Sequence, residues 1–113
     1  DGIDEIVTGP GPGVVFGAHV RGWNHDGSGL SELPGLSFFA FSWPEHRFGA
    51  KVSARADLDG DGRDEIVAGL GPDPDVGTTV SVFSYDGSTV TSLATLESFT
   101  GLTHGATVAS GRF

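Results

Sequence analysis

Between residues 57 and 65 the chain reads Asp-Leu-Asp-Gly-Asp-Gly-Arg-Asp-Glu. Asp57, Asp59 and Asp61 stand at alternate positions, and Glu65 follows four residues after the last of them. Gly60 and Gly62 let the backbone wrap tightly, because glycine tolerates φ > 0. Acids crowded this closely repel one another unless a cation sits among them. Hard oxygen donors at this spacing suit Ca²⁺, which takes roughly six to eight oxygens from carboxylates and backbone carbonyls. The loop is therefore expected to hold Ca²⁺ through the side chains of Asp57, Asp59 and Asp61, the carbonyl of Arg63, and Glu65. The competing reading is a solvated acidic turn, with Asp-Gly chosen for its turn chemistry alone.

An EF-hand does not fit this loop. It requires an acid at the twelfth position and a helix on each side. Counting from Asp57, the twelfth position is Ala68. The residues after the acids, Glu65-Ile-Val-Ala-Gly69, are β-branched and closed by glycine, which predicts a short strand. Those before them, from Ala50 to Ala56, are loosely alternating and too few for a helix. The acidic stretch is thus expected to connect two strands.

Repetition shows how such strands are organised. Residues 1–12 read DGIDEIVTGPGP and residues 61–72 read DGRDEIVAGLGP, nine of twelve identical at an offset of 60. Asn24-His-Asp-Gly-Ser28 then faces Ser84-Tyr-Asp-Gly-Ser88, and Phe39 faces Phe99. Further on, His46–Val52 matches Leu102–Val108 at an offset of 56, so the first unit carries about four extra residues, assigned to Ser42-Trp-Pro-Glu45. Asp-Gly between strand-like runs is a hairpin signal. The expected strands are Glu5–Thr8, Ala18–His25 and Leu30–Phe41 in the first unit. In the second they are Lys51–Ala56, Glu65–Ala68, Thr79–Tyr85 and Val90–Phe99. The first unit lacks its opening strand, and Ala106–Phe113 is expected to be such a strand without its unit.

Four strands per unit of this length is blade-like, and radial repetition of four-stranded sheets makes a β-propeller. The expected fold is all-β: two four-stranded antiparallel propeller blades, circularly permuted by one strand. Repeat 1 covers about 1–45, repeat 2 about 46–101, and a C-terminal strand, 102–113, completes a blade of a neighbouring copy or its own first blade.

The run Asp57-Leu-Asp-Gly-Asp-Gly-Arg-Asp-Glu-Ile-Val67 resembles the calcium motif of FG-GAP/VCBS repeats, the blades of integrin α-subunit propellers and of many bacterial secreted proteins. Phe48-Gly49 and Gly69-Leu-Gly71 are similar to that family's Phe-Gly and Gly-Ala-Pro signals, the latter imperfectly. The resemblance extends over essentially the whole chain as two units. It implies that the loop joins the first two strands of a blade and binds Ca²⁺ through Asp57, Asp59, Asp61, the Arg63 carbonyl and Glu65. The family's closing ligand is commonly Asp. Glu65 departs from that with a longer arm that can still coordinate. A candidate second half-site in the first unit comprises Asp1, Ile3 (through its carbonyl) and Glu5.

Composition limits the remaining functions. The formal net charge of −9 argues against nucleic acid as a partner, which needs a basic face. No apolar run is long enough for a transmembrane helix. There is no cysteine, so disulfides contribute nothing to stability. With neither a signal peptide nor an initiating Met, the chain reads as a processed or excised piece of a larger secreted protein, and a loose calcium loop fits an extracellular setting. Gly-x-Ser-x-Gly and Walker A motifs are absent. Gly9-Pro-Gly-Pro-Gly13 has no helix after it to cradle phosphate. A paired-carboxylate hydrolase is the weakest reading, since the acids serve better as ligands or solvated charges.

Two blades alone leave apolar faces and strand edges uncovered. A cyclic homo-oligomer is therefore expected, with three copies giving six blades favoured over four giving eight. The function expected is a calcium-stabilised structural and interaction module, without catalysis, that assembles into a closed ring. The alternative is a lectin-like propeller binding carbohydrate at inter-blade or loop sites. Trp43, in the insertion, could stack on a sugar ring or fill the space between blades. Trp23 aligns with Phe83 and is expected in the core. His19, His25, His46 and His104 share no metal-ligand spacing and are expected to be hydrogen-bonding groups.

Overall fold

A computed structural model describes residues 5–42 and 45–110. Among them there is no helix. Seven strands form two antiparallel sheets: β1 (Glu5–Thr8), β2 (His19–His25) and β3 (Leu30–Phe39) in the order β1-β2-β3, then β4 (Ala50–Ala56), β5 (Glu65–Leu70), β6 (Thr79–Tyr85) and β7 (Val90–Glu97) in the order β4-β5-β6-β7. The second sheet has the four strands expected and the first has three. No strand is found within 102–110, because that segment pairs with no ladder.

The two hairpin turns are the same chemistry twice. Asp26 Oδ1 accepts the N–H groups of Ser28 and Gly29, both at 2.9 Å, and Asp86 Oδ1 accepts those of Ser88 and Thr89 at 2.9 and 2.7 Å. Gly27 and Gly87 take φ of 93° and 101°, which a side chain would resist. These bonds hold both carboxyls below the ordinary value of 3.8, the Ser28 N–H leading at Asp26 and the Ser88 N–H at Asp86.

Register locates the extra residues of the first unit. Ala40 N–H donates to the Ala18 carbonyl at 2.8 Å, and Ser98 N–H donates to that of Thr78 at 3.1 Å. Phe99 therefore corresponds to Phe41 rather than Phe39. Two of the four extra residues lie in β3, where Gly22 faces the irregular run between Glu32 and Ser37, and in the second sheet Val82 occupies the corresponding place. A Cβ on Gly22 would collide with Leu36. Gly22 with Leu36 in the first sheet thus stands where Val82 with Ala94 stands in the second.

The core lies between the sheets. Ala18, Val20 and Leu36 from the first meet Ile66, Leu70 and Phe83 from the second. Phe38 and Phe83 pack edge to face with ring centroids 4.8 Å apart. The Tyr85 hydroxyl donates to the Pro34 carbonyl at 2.5 Å, tying β6 to β3. Every residue of β5 is buried, as befits a central strand covered on both faces. Trp23 does not reach this core. It is half-buried on the uncovered face of the first sheet, where its Nε1–H donates to Thr8 Oγ1 at 3.0 Å and Arg21 lies over its ring.

The link from one unit to the next is built the same way twice. Phe48 and His104 adopt φ of 67° and 75°, followed by Gly49 and Gly105 at 73° and 71°. Ala50 N–H then donates to the Pro10 carbonyl at 3.3 Å, and Ala106 N–H donates to that of Leu70 at 3.0 Å. The segment after Gly105 thus sits on the second sheet as the start of β4 sits on the first.

Candidate metal centre

The acidic loop joins β4 to β5, as the sequence predicts, with strands rather than helices on either side. It is ordered by its own carboxylates. Asp57 Oδ1 accepts the N–H groups of Gly60 and Asp61 at 2.7 and 3.1 Å, and its Oδ2 accepts that of Gly62 at 2.8 Å. Asp59 Oδ1 accepts from Asp61 N–H at 3.0 Å, and Asp61 Oδ1 from Arg63 N–H at 2.8 Å. The Gly62 N–H, joined by those of Gly60 and Asp61, holds the Asp57 carboxyl below its ordinary 3.8 against the opposing effect of desolvation. Positive φ at Gly60 and Gly62 permits the wrap.

The structure brings Asp57, Asp59, Asp61 and Glu65 together, with one carboxylate oxygen of each lying within 4.8 Å of the others. At that distance each pair of charges repels by roughly 1 kcal/mol in water, and by several times that near a protein surface. The three aspartates are exposed, but Glu65 at the head of β5 is fully buried. Its Oε2 accepts the N–H groups of Leu58 and Asp59, the latter at 3.2 Å. Its Oε1 is buried and has no partner among the described residues. A buried charge is retained only when it is paired or coordinates a metal. A buried carboxylate with one unpartnered oxygen, grouped with three further carboxylates, fits a hard divalent cation. Arg63 joins the loop through its N–H.

Two contributions escape a reading of the sequence. One is the set of backbone N–H donors that pins each aspartate. The other is the depth of Glu65, which follows from burial of β5 on both faces. Glu5, the counterpart of Glu65, is exposed. Its half-site partners Asp1 and Ile3 lie outside the described residues, as does Trp43. The histidines make local contacts, such as His19 Nε2 with Ser37 Oγ at 2.8 Å and His104 Nδ1 with Thr103 Oγ1 at 2.9 Å. A separate cleft of about 370 Å³ opens among Val14, Glu45, Arg47, Phe48 and Asp73, and no acid of the loop lines it. No protein-family model, curated protein or solved structure matches the chain.

Proposed function

We propose that this chain is a calcium-stabilised β-propeller module of the FG-GAP/VCBS kind, structural and interaction-bearing rather than catalytic, that self-assembles into a ring. The observation that carries the metal reading is the convergence of the fully buried Glu65 carboxylate, one oxygen of which has no partner among the described residues, with the carboxylates of Asp57, Asp59 and Asp61. Ca²⁺ is the ion favoured, because the donors are all oxygens and the loop is a flexible run of alternating acids that can supply several ligands. Arg63 contributes its carbonyl as a further ligand.

The ion braces β4 against β5 and acts by mass action on the folded state. The propeller reading is supported by the repeated sheet, the repeated turns and the repeated link between units. An extracellular setting supplies the calcium such a site needs, and three copies would complete six blades. The acidic charge disfavours nucleic acid as a partner. Thermal denaturation with calcium and with a chelator tests the metal reading. The wild-type midpoint should rise with calcium and that of Asp59→Ala should not. A wild-type midpoint indifferent to calcium overturns it.

A further inference from the structure

The junction between the two sheets is a template for a second junction, whose two halves are exposed among the described residues. On the second sheet, the face that covers the first presents Ile66 and Phe83, and Ile66 is 3% exposed. The same positions on the first sheet are Ile6, 43% exposed, and the half-buried Trp23. Conversely, Leu33 and Phe38 of the first sheet are packed into the core. Their counterparts Leu93 and Leu96 are exposed, Leu96 to 53%. One half of such a junction is therefore exposed on each sheet, and the halves are complementary.

The backbone repeats this pattern. β1 is an edge strand with no outer ladder partner among the described residues, whereas its counterpart β5 pairs with β4. Residues 106–110 hold on the second sheet the place that the start of β4 holds on the first. They are anchored by Ala106 N–H to Leu70 and by Ser110 N–H to Ser53 Oγ at 3.0 Å, and residues 106–109 belong to no ladder among the described residues. An open strand edge is a template for another chain.

We infer that a second copy of this chain docks head to tail, adding its β1 edge to residues 106–110 of the first and seating Ile6 and Trp23 over Leu93 and Leu96. The inference rests on the blade reading above but not on the metal. The register follows from that of β4 on β5, where Val52 faces Ala68 and Ser53 faces Val67. Val108 then faces Thr8 of the next copy, and Ala109 faces its Val7. Arg21 replaces Ser81 on the docking face and enters with its charge paired to Glu32 and stacked 4.4 Å from the Trp23 ring centroid. A head-to-tail contact of this kind is heterologous and forms a ring when its rotation closes.

Light scattering across a concentration series tests this, with the 11.6 kDa chain as the unit of mass. The wild type should give a multiple of that mass. Leu96→Glu and Ile6→Glu, both at exposed positions, should each give the single-chain mass with an unchanged circular dichroism spectrum. A Thr8→Cys, Val108→Cys double variant oxidised with diamide should run as covalent dimers and larger species on a non-reducing gel. A wild type that stays at the single-chain mass, association untouched by both glutamates, or a disulfide formed only within one chain overturns the inference. A calcium-induced rise in melting temperature that persists in monomeric Leu96→Glu upholds the metal reading separately. Absence of that rise in a wild type that still associates overturns the metal reading alone.

Discussion

The Glu65 carboxylate accepts the Asp59 N–H at 3.2 Å through Oε2, while its other oxygen, Oε1, is buried with no partner among the described residues. The cost of that oxygen should be visible when no ion is present. Glu65→Gln keeps an acceptor for the Leu58 and Asp59 N–H groups and removes the charge. In chelator it should melt no lower than the wild type. In saturating calcium the order should reverse, because only the wild type gains. At a hundredfold excess of calcium over Kd the gain is about 2.7 kcal/mol, on the order of 10 °C in a domain of this size. Differential scanning calorimetry of both proteins in both buffers checks the crossover.

The link between units depends on glycines with no room for a side chain. A Cβ on Gly49 would collide with the Pro10 carbonyl and one on Gly105 with that of Leu70, both at positive φ. Gly60 also has positive φ, but nothing lies near its missing Cβ. Gly49→Ala should therefore cost more than about 2 kcal/mol and Gly60→Ala about 1 kcal/mol, measured by urea midpoints in chelator.

Contact between the sheets should dominate stability. Phe83→Ala removes a buried ring that packs against Phe38 and should cost about 3–5 kcal/mol. Tyr85→Phe loses only the bond to the Pro34 carbonyl, about 1 kcal/mol. Desolvation, with the charges of Asp86 and Glu5, holds the Tyr85 hydroxyl above its ordinary 10.0. The folded state thus keeps the proton longer than the unfolded chain. The Tyr85 contribution should be full below pH 10 and fade above it in the wild type, narrowing the gap to Tyr85→Phe.

Acid should release the hairpin turns. The Asp26 and Asp86 carboxyls are held below 3.8 in the folded state, so their contribution is complete above that pH and is lost as pH falls through the lowered folded value. The difference in urea midpoint between the wild type and Asp86→Ala should be largest near neutrality and shrink below pH 3.8. A difference independent of pH would assign the turn to its glycine alone.

Much of this architecture is legible in the chain, for identifiable reasons. The repeated Asp-Gly turns mark both hairpins because Asp26 and Asp86 perform the same backbone bonding. The loop from Asp57 to Glu65 was readable from ligand spacing, and its flanking strands from β-branched residues and glycine. Strand ends drifted by a residue or two: β5 runs on to Leu70 and β7 stops at Glu97. Letter identity pairs Phe39 with Phe99, whereas the register is set by the bulge that Gly22 permits under Leu36. Alignment with Phe83 predicts a core position for Trp23, but burial depends on which face meets another sheet. The orphan Oε1 of Glu65 and the matching exposed faces of the two sheets arise only from the packing of one sheet on the other, which no local pattern records.

If the acidic loop holds calcium through Glu65, as proposed, isothermal titration of calcium into chelator-treated protein shows it. Binding should saturate near one ion per chain in the wild type and weaken at least about tenfold in Glu65→Gln, a loss of about 1.4 kcal/mol. A wild type that takes up no calcium, or a Glu65→Gln protein that binds it as tightly as the wild type, would contradict it.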